Sequence, residues 1–172
     1  MSSLLLAAHA DDETLYAAYT CLREKPHVVV CTYRHPGEEL PNAMEALGCD
    51  FTQLVFAEGA LAHHALCHWL KLNGEFGTGE PDVVYAPSYH GDGHEEHNIV
   101  ALAARDVYGS RVRSYLTYAP RGRRQREGTE VIPEPWMIAR KFAALACYES
   151  QIAQSSTRPW FYDLLDMKEW VA

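Results

Sequence analysis

The sequence predicts an α/β fold, a Rossmann-like three-layer sandwich with a mostly parallel sheet of five or more strands in the order 3-2-1-4-5. Three observations predict it. A chain of 172 residues falls within the length of one domain, so residues 1–172 are read as a single unit. Apolar runs alternate five times with helix-like stretches, the pattern of a parallel sheet covered by helices on both faces. Right-handed crossovers then lead to the doubly wound order.

Each element has its own signal. Leu4 to Ala8 is a short buried strand. Glu13 to Glu24 is a helix with Asp11 or Asp12 as N-cap, and Pro26 ends it. His27 to Tyr33, with three consecutive valines, is the second strand. Glu38 to Leu47 is a helix closed by Gly48. Thr52 to Phe56 is the third strand, Ala60 to Leu72 a helix, and Asn73 to Gly79 a Gly-rich loop. Asp82 to Ala86 is the fourth strand, bounded by Pro81 and Pro87. Glu95 to Tyr108 is a helix and Arg113 to Tyr118 the fifth strand. Arg121 to Pro135 is irregular or hairpin-like, and Pro135 to Gln151 a long helix with Pro135 in its first turn. The aromatic tail, Trp160 to Val171, is expected to pack down as a short helix.

Composition narrows the function classes. Hydrophobic residues make up 48% and charged residues 22%, ordinary for a globular chain. The net charge of -8 argues against a general nucleic-acid binder, although residues 111–172 carry 10 bases against 7 acids. The apolar run near the N-terminus, Leu4 to Ala8, is too short for a signal core or a membrane span. The five cysteines (Cys21, Cys31, Cys49, Cys67 and Cys147) form no CxxC pair and read as buried free thiols. A cytoplasmic chain with no membrane partner is the expectation. Nine histidines are the compositional oddity.

Two segments gather the chemistry. Ala8-His9-Ala10-Asp11-Asp12-Glu13-Thr14 lies where the first strand meets the first helix. His90-Gly91-Asp92-Gly93-His94-Glu95-Glu96-His97 lies between the fourth strand and its helix. In a 3-2-1-4-5 sheet these strands are neighbours, and their carboxyl ends flank the switch point where such folds place ligands. Taken singly, the first segment could be a helix cap and the second a surface pair. Facing each other, they form a site for a borderline divalent metal. Zinc (Zn2+) in catalytic sites takes three protein ligands and leaves one position open. His9, Asp12 and His97 supply such a set, and another divalent ion could take zinc's place. Asp11 and His94 then stand beside the metal. A carboxylate there can act as general base, and a histidine can stabilise an oxyanion or protonate a leaving group.

These residues also match a family. Ala-His-Ala-Asp-Asp-Glu resembles the AHPDDE signature of the LmbE-like, PIG-L zinc N-deacetylases, and His94-Glu95-Glu96-His97-Asn98-Ile99-Val100 resembles that family's HPDHRAV segment. Ala46-Leu47-Gly48 is similar to its "ALG" turn, Glu58-Gly59-Ala60-Leu61 to its "DGxL" turn, and Lys141 to Gln151 to its late "KxxALxxxxSQ" helix. Ala10 stands where the family has proline, and Glu95-Glu96 replace its Pro-Asp pair. The resemblance implies His9, Asp12 and His97 as zinc ligands, Asp11 as general base and His94 as the group that stabilises the oxyanion and assists amine departure. It implies hydrolysis of an acetyl or other acyl amide, often on N-acetylglucosamine-type compounds.

Further residues remain as expectations. Arg34 and Glu58 follow the second and third strands and could line the crevice, and Tyr89 could gate it. The run Arg121-Gly122-Arg123-Arg124-Gln125-Arg126 is a solvated loop or a dock for an anionic substrate such as a nucleotide-sugar, a phosphorylated glycoside or a polynucleotide. His63, His64 and His68 form a further cluster in which His64 and His68, at i, i+4 spacing, could share a face and bind a metal; with no carboxylate near them in sequence, a solvated or interface face is the default. Trp136, Trp160, Phe161, Tyr162 and Trp170 suit core or dimer packing, or a rim that stacks on sugar rings, so a homo-oligomer is compatible with the chain. Two other classes stay open: a metallo-phosphohydrolase on a phosphoester, and a non-enzymatic Rossmann-like module. A dinucleotide-dependent dehydrogenase is disfavoured, because the first turn lacks GxGxxG.

Overall fold

The computed structural model describes residues 2–33, 37–74, 79–89, 94–117, 128–155 and 169–172. Five parallel strands form its sheet centre: β1 (Ser3–Ala7), β2 (His27–Tyr33), β3 (Phe51–Ala57), β4 (Val83–Pro87) and β5 (Val112–Tyr115). Two short antiparallel strands, β6 (Thr129–Val131) and β7 (Glu169–Val171), extend one edge. The order is β3-β2-β1-β4-β5-β7-β6, so the predicted 3-2-1-4-5 core is present.

Alternation along the strands divides two cores between the faces. Leu5, Ala7, Val28 and Val30 face helices α1 (Asp12–Tyr16), α2 (Ala18–Glu24), α3 (Glu39–Leu47) and α6 (Pro135–Ala146), meeting Tyr19, Met44 and Met137. Leu4, Leu6, Val29 and Val84 face α4 (His63–Asn73) and α5 (Glu95–Tyr108), meeting Leu66, Leu70 and Ala104. This is the three-layer sandwich. Gly48 closes α3 at φ 69°, as its position predicts, and donates to Met44 O at 2.8 Å. Cys21, Cys31 and Cys67 are buried and all five cysteines are free. Among the described residues no helix is long and apolar enough to cross a membrane.

Three expectations need correction. The first helix is not continuous from Glu13 to Glu24; it breaks at Ala17 (φ -139°). The bond that Tyr19 N–H would donate to Leu15 O is replaced by side chains. Tyr19 N–H donates to Glu169 at 2.9 Å, and Leu15 O accepts from Lys141 Nζ at 2.9 Å. A buried ion pair, Lys141 Nζ to Glu169 Oε1 at 2.7 Å, has entered the helical ladder. The end of the tail is the second correction: Glu169–Val171 is a strand, which carries that carboxylate into place, while residues 160–168 of the expected helix lie outside the described residues. Third, the helix predicted from Pro135 to Gln151 ends at Ala146, and α7 (Glu149–Ser155) follows. Between them Tyr148 turns inward to donate to Glu13 at 2.6 Å, while Glu39 takes the Ser150 N–H at 2.8 Å.

Candidate active site

The carboxyl ends of β1 and β4 lie side by side, paired through Ser3↔Val83, Leu4↔Val84 and Leu5↔Tyr85. The chain leaves β1 through His9 and enters α1 at Asp12; His94 caps α5, and His97 follows one turn later. The described parts of the two segments, 8–14 and 94–97, therefore meet at these strand ends. His9, Asp12, His94 and His97 come together there.

The donors are closely spaced. His97 Nε2 lies 3.1 Å from Asp12 Oδ2, His9 Nδ1 lies 3.4 Å from the same oxygen, and the two ring nitrogens are 3.3 Å apart. A tetrahedral ion with bonds of about 2.0–2.1 Å sets its donors roughly 3.3–3.4 Å apart. Asp12 is fully buried, and its Oδ1 finds no hydrogen-bond partner. A buried carboxylate with Oδ2 beside two imidazoles and Oδ1 without a partner is costly unless a cation completes the set. The residues present fit a divalent metal. His94 brings a third ring nitrogen beside them: the ligand atoms of His9, His94 and His97 lie within 4.8 Å of one another. Its ring meets His9 edge-on at 4.7 Å between centroids.

Electrostatics agree with this crowding. Burial opposes charge on Asp12, but the charge of His97 and the hydrogen bond from His9 outweigh it and hold the carboxyl far below its usual range. Burial also acts to lower His9, yet Asp12 and then Glu96 push its pKa up to about 9. His94 is pushed down by burial and by the neighbouring His9 and His97, which favours a neutral imidazole.

Asp11 sits on the turn between β1 and α1 with φ 118° and ψ -28°, a conformation that costs an aspartate energy. Its backbone is pinned from both sides. Its N–H donates to Glu13 Oε2 at 3.1 Å, and its carbonyl accepts from Thr14 N and Leu15 N at 3.0 and 2.8 Å. Glu13 is itself buried and held by Tyr148 and Thr14, and burial pushes its carboxyl up.

Glu96 is a site residue to which the motifs assign no role. Its Oε2 accepts from His9 Nε2 at 2.8 Å, which turns Nδ1 toward Asp12 and His97. Its Oε1 accepts from Gly59 N–H at 2.9 Å. A carboxylate behind a histidine fixes the tautomer and aim of the ring. A signal existed: an acid immediately before His97 and directly after another acid, where α5 starts. The "DGxL"-like turn thus enters through the backbone of Gly59 (φ 82°).

The substrate-facing expectations separate. Glu58 is exposed on the turn beside Gly59. Tyr89 is half exposed and lines a shallow cavity with Ser88, Arg105, Ser114 and Leu116, none of which belongs to the histidine cluster. Arg34, His90, the Arg121–Arg126 run, Trp160, Phe161 and Tyr162 lie outside the described residues. Trp170 is buried, whereas Trp136 is half exposed and donates to Glu134 at 2.9 Å.

No protein-family model matches the chain, and no curated protein matches it in sequence. Solved structures do match. A deacetylase triple mutant (Orf2*T) of the teicoplanin biosynthetic pathway superposes with TM-score 0.67 at 17% identity, covering 96% of this chain and 90% of that one. The conserved protein TT1542 from Thermus thermophilus gives 0.66 at 21% identity, covering 100% and 94%. GalB, the 4-carboxy-2-hydroxymuconate hydratase from Pseudomonas putida KT2440, gives 0.65 at 17%, covering 88% and 80%. These likenesses show the fold: the chain has the α/β architecture shared by that deacetylase, by TT1542 and by the hydratase GalB.

Proposed function

We propose that the chain is a metal-dependent amide hydrolase of the LmbE-like, PIG-L kind, which removes an acetyl or other acyl group from an amine. The observation that carries this reading is the triangle of His9 Nδ1, Asp12 Oδ2 and His97 Nε2, 3.1–3.4 Å on a side, at a buried carboxylate whose other oxygen has no hydrogen-bond partner. An N-acetylglucosamine-type sugar or glycoconjugate is the first substrate class. An anionic, nucleotide-linked amide is the second, because the final third of the chain is basic.

His9, Asp12 and His97 would hold the ion, with zinc the best match to two imidazoles and one carboxylate. Such an ion supplies Lewis-acid polarisation of a carbonyl and a lowered pKa for water. The chain's own groups do the rest. Asp11 takes the proton of the attacking water. His94 donates its N–H to the oxyanion as it forms and assists amine departure; the proton that Asp11 took from water is the one the departing amine receives, so both groups end as they began. Glu96 keeps His9 aimed, and Glu13 with Tyr148 holds the backbone that carries Asp11. The products are a carboxylic acid and a free amine.

The test is mass spectrometry of a panel of N-acetyl sugars and acylated amines incubated with zinc-loaded protein. Acid release that depends on metal and on Asp11 supports the reading. No zinc uptake and no release would overturn it. The hydratase neighbour favours a second reading, metal-assisted addition of water to an unsaturated acid. Adding 4-carboxy-2-hydroxymuconate to the panel separates the two, since hydration adds one water and releases no acid.

A further inference from the structure

On the face of the sheet opposite α1 and α2, helices α4 and α5 bring together three unlike side chains. His63 opens α4, Cys67 follows it by one turn, and Asp106 lies near the end of α5. His63 Nε2 is 3.1 Å from Asp106 Oδ2 and 3.5 Å from Cys67 Sγ. All three ligand atoms lie within 4.8 Å of one another. The histidine run on α4 therefore does have a carboxylate nearby, supplied across the helix pair rather than along the sequence.

We propose that His63, Cys67 and Asp106 form a second metal site, for a borderline divalent cation such as zinc, separate from the first. The spacing carries the proposal. With a metal–sulfur bond of about 2.3 Å and a metal–nitrogen bond of about 2.0 Å, a tetrahedral ion sets sulfur and nitrogen roughly 3.5 Å apart. That is the His63–Cys67 distance. The nitrogen–oxygen edge of such a site is roughly 3.3 Å, against 3.1 Å between His63 and Asp106. One imidazole, one thiolate and one carboxylate make a donor set that zinc accepts and magnesium or calcium does not. The graded burial also suits a site loaded from solvent: Cys67 is buried, His63 half-buried and Asp106 exposed. His97 and Asp106 are nine residues apart on α5, about 14 Å along the helix, so the two sites do not share ligands. An ion here would bridge α4 to α5, the helix that carries His97 and Glu96, and would stabilise that pairing by linkage.

The test uses the full metal-free chain, kept reduced with a phosphine, and cobalt(II) alone as the probe. The first site contains no sulfur, so only the second gives a thiolate-to-cobalt charge-transfer band in the near ultraviolet. The expectation is two equivalents bound per chain, one of them accompanied by that band. Cys67→Ser should lose one equivalent and the whole band. Asp106→Asn, at an exposed position that does not threaten folding, should weaken the same equivalent and leave the other intact. His97→Ala should lose the other equivalent and keep the band, so failure of this site and failure of the first are read separately. A band absent from the wild type, or persisting undiminished in Cys67→Ser or Asp106→Asn, overturns the proposal and leaves His63 and Asp106 as an ion pair only.

Discussion

Two buried polar clusters stand on either side of the break at Ala17, and they are finished differently. Beyond the break, Glu169 receives Tyr19 N–H on both oxygens and Lys141 Nζ at 2.7 Å, while Lys141 also donates to Leu15 O and lies 4.9 Å from the Tyr19 ring centroid. Charge meets charge, and each carboxylate oxygen has a donor. Before the break, Asp12 sits among His9 and His97 with one oxygen unpartnered. The carboxyls respond in opposite directions. Burial pushes Glu169 up beyond what Lys141 and the backbone donors take back, whereas the two imidazoles overcome burial at Asp12 and hold it far down. The difference teaches what each cluster is for. A complete set fastens β7 to α2; an incomplete one keeps donor atoms for a cation.

The most damaging change to this contrast falls on Asp11. Asp11→Asn keeps the turn and the metal ligands but removes the proton acceptor. Turnover should fall about 10²–10⁴-fold, the usual worth of general acid–base catalysis, with metal content unchanged. Steady-state rates alongside metal analysis check it, and retained activity would remove Asp11 from the base role. Glu169→Gln attacks the other cluster. It leaves Lys141 as a buried charge without its counter-ion, which typically costs about 3–5 kcal/mol. The urea midpoint should drop with an unchanged slope, while metal stoichiometry stays as in the wild type. A loss of metal binding on the same scale would mean that the two clusters are not independent.

How far each cluster was legible in the sequence follows from the same contrast. His9, Asp11, Asp12, His94 and His97 could be placed because each lies in a short motif at a strand end, and chain topology brings strand ends together. The break at Ala17 could not, because its cause lies 150 residues away in sequence, in a glutamate on a strand three residues long. The sequence around Ala17 contains no glycine or proline to announce it. Glu96 was hidden for another reason: its neighbour Glu95 is exposed, and the two differ only in the side of α5 they occupy. His63 likewise gains Asp106 only when α4 packs on α5. Local signals placed the chemistry, and long-range pairing decided how each group is held.

The smallest expected effect, and the one that reads the quality of the incomplete cluster, belongs to Glu96. Its carboxylate does two things to His9: it aims Nδ1 at Asp12 and His97, and it helps raise the pKa to about 9. A metal binds neutral imidazole, so it must displace the His9 proton. In the wild type, affinity should therefore rise about tenfold per pH unit and level off near pH 9. The metal-free fold shows the opposite trend. A raised histidine pKa contributes stability that is complete below the ordinary value of 6.5 and is lost as pH rises through about 9. Glu96→Gln removes the charge but keeps the side chain's length. The levelling point should move to lower pH, and the plateau affinity should fall about 10–100-fold, as it does when a partner behind a metal ligand is removed. A lower levelling point with an unchanged plateau would mean that Glu96 acts on His9 through charge alone, and that Asp12 and the fold around the turn suffice to aim the ring.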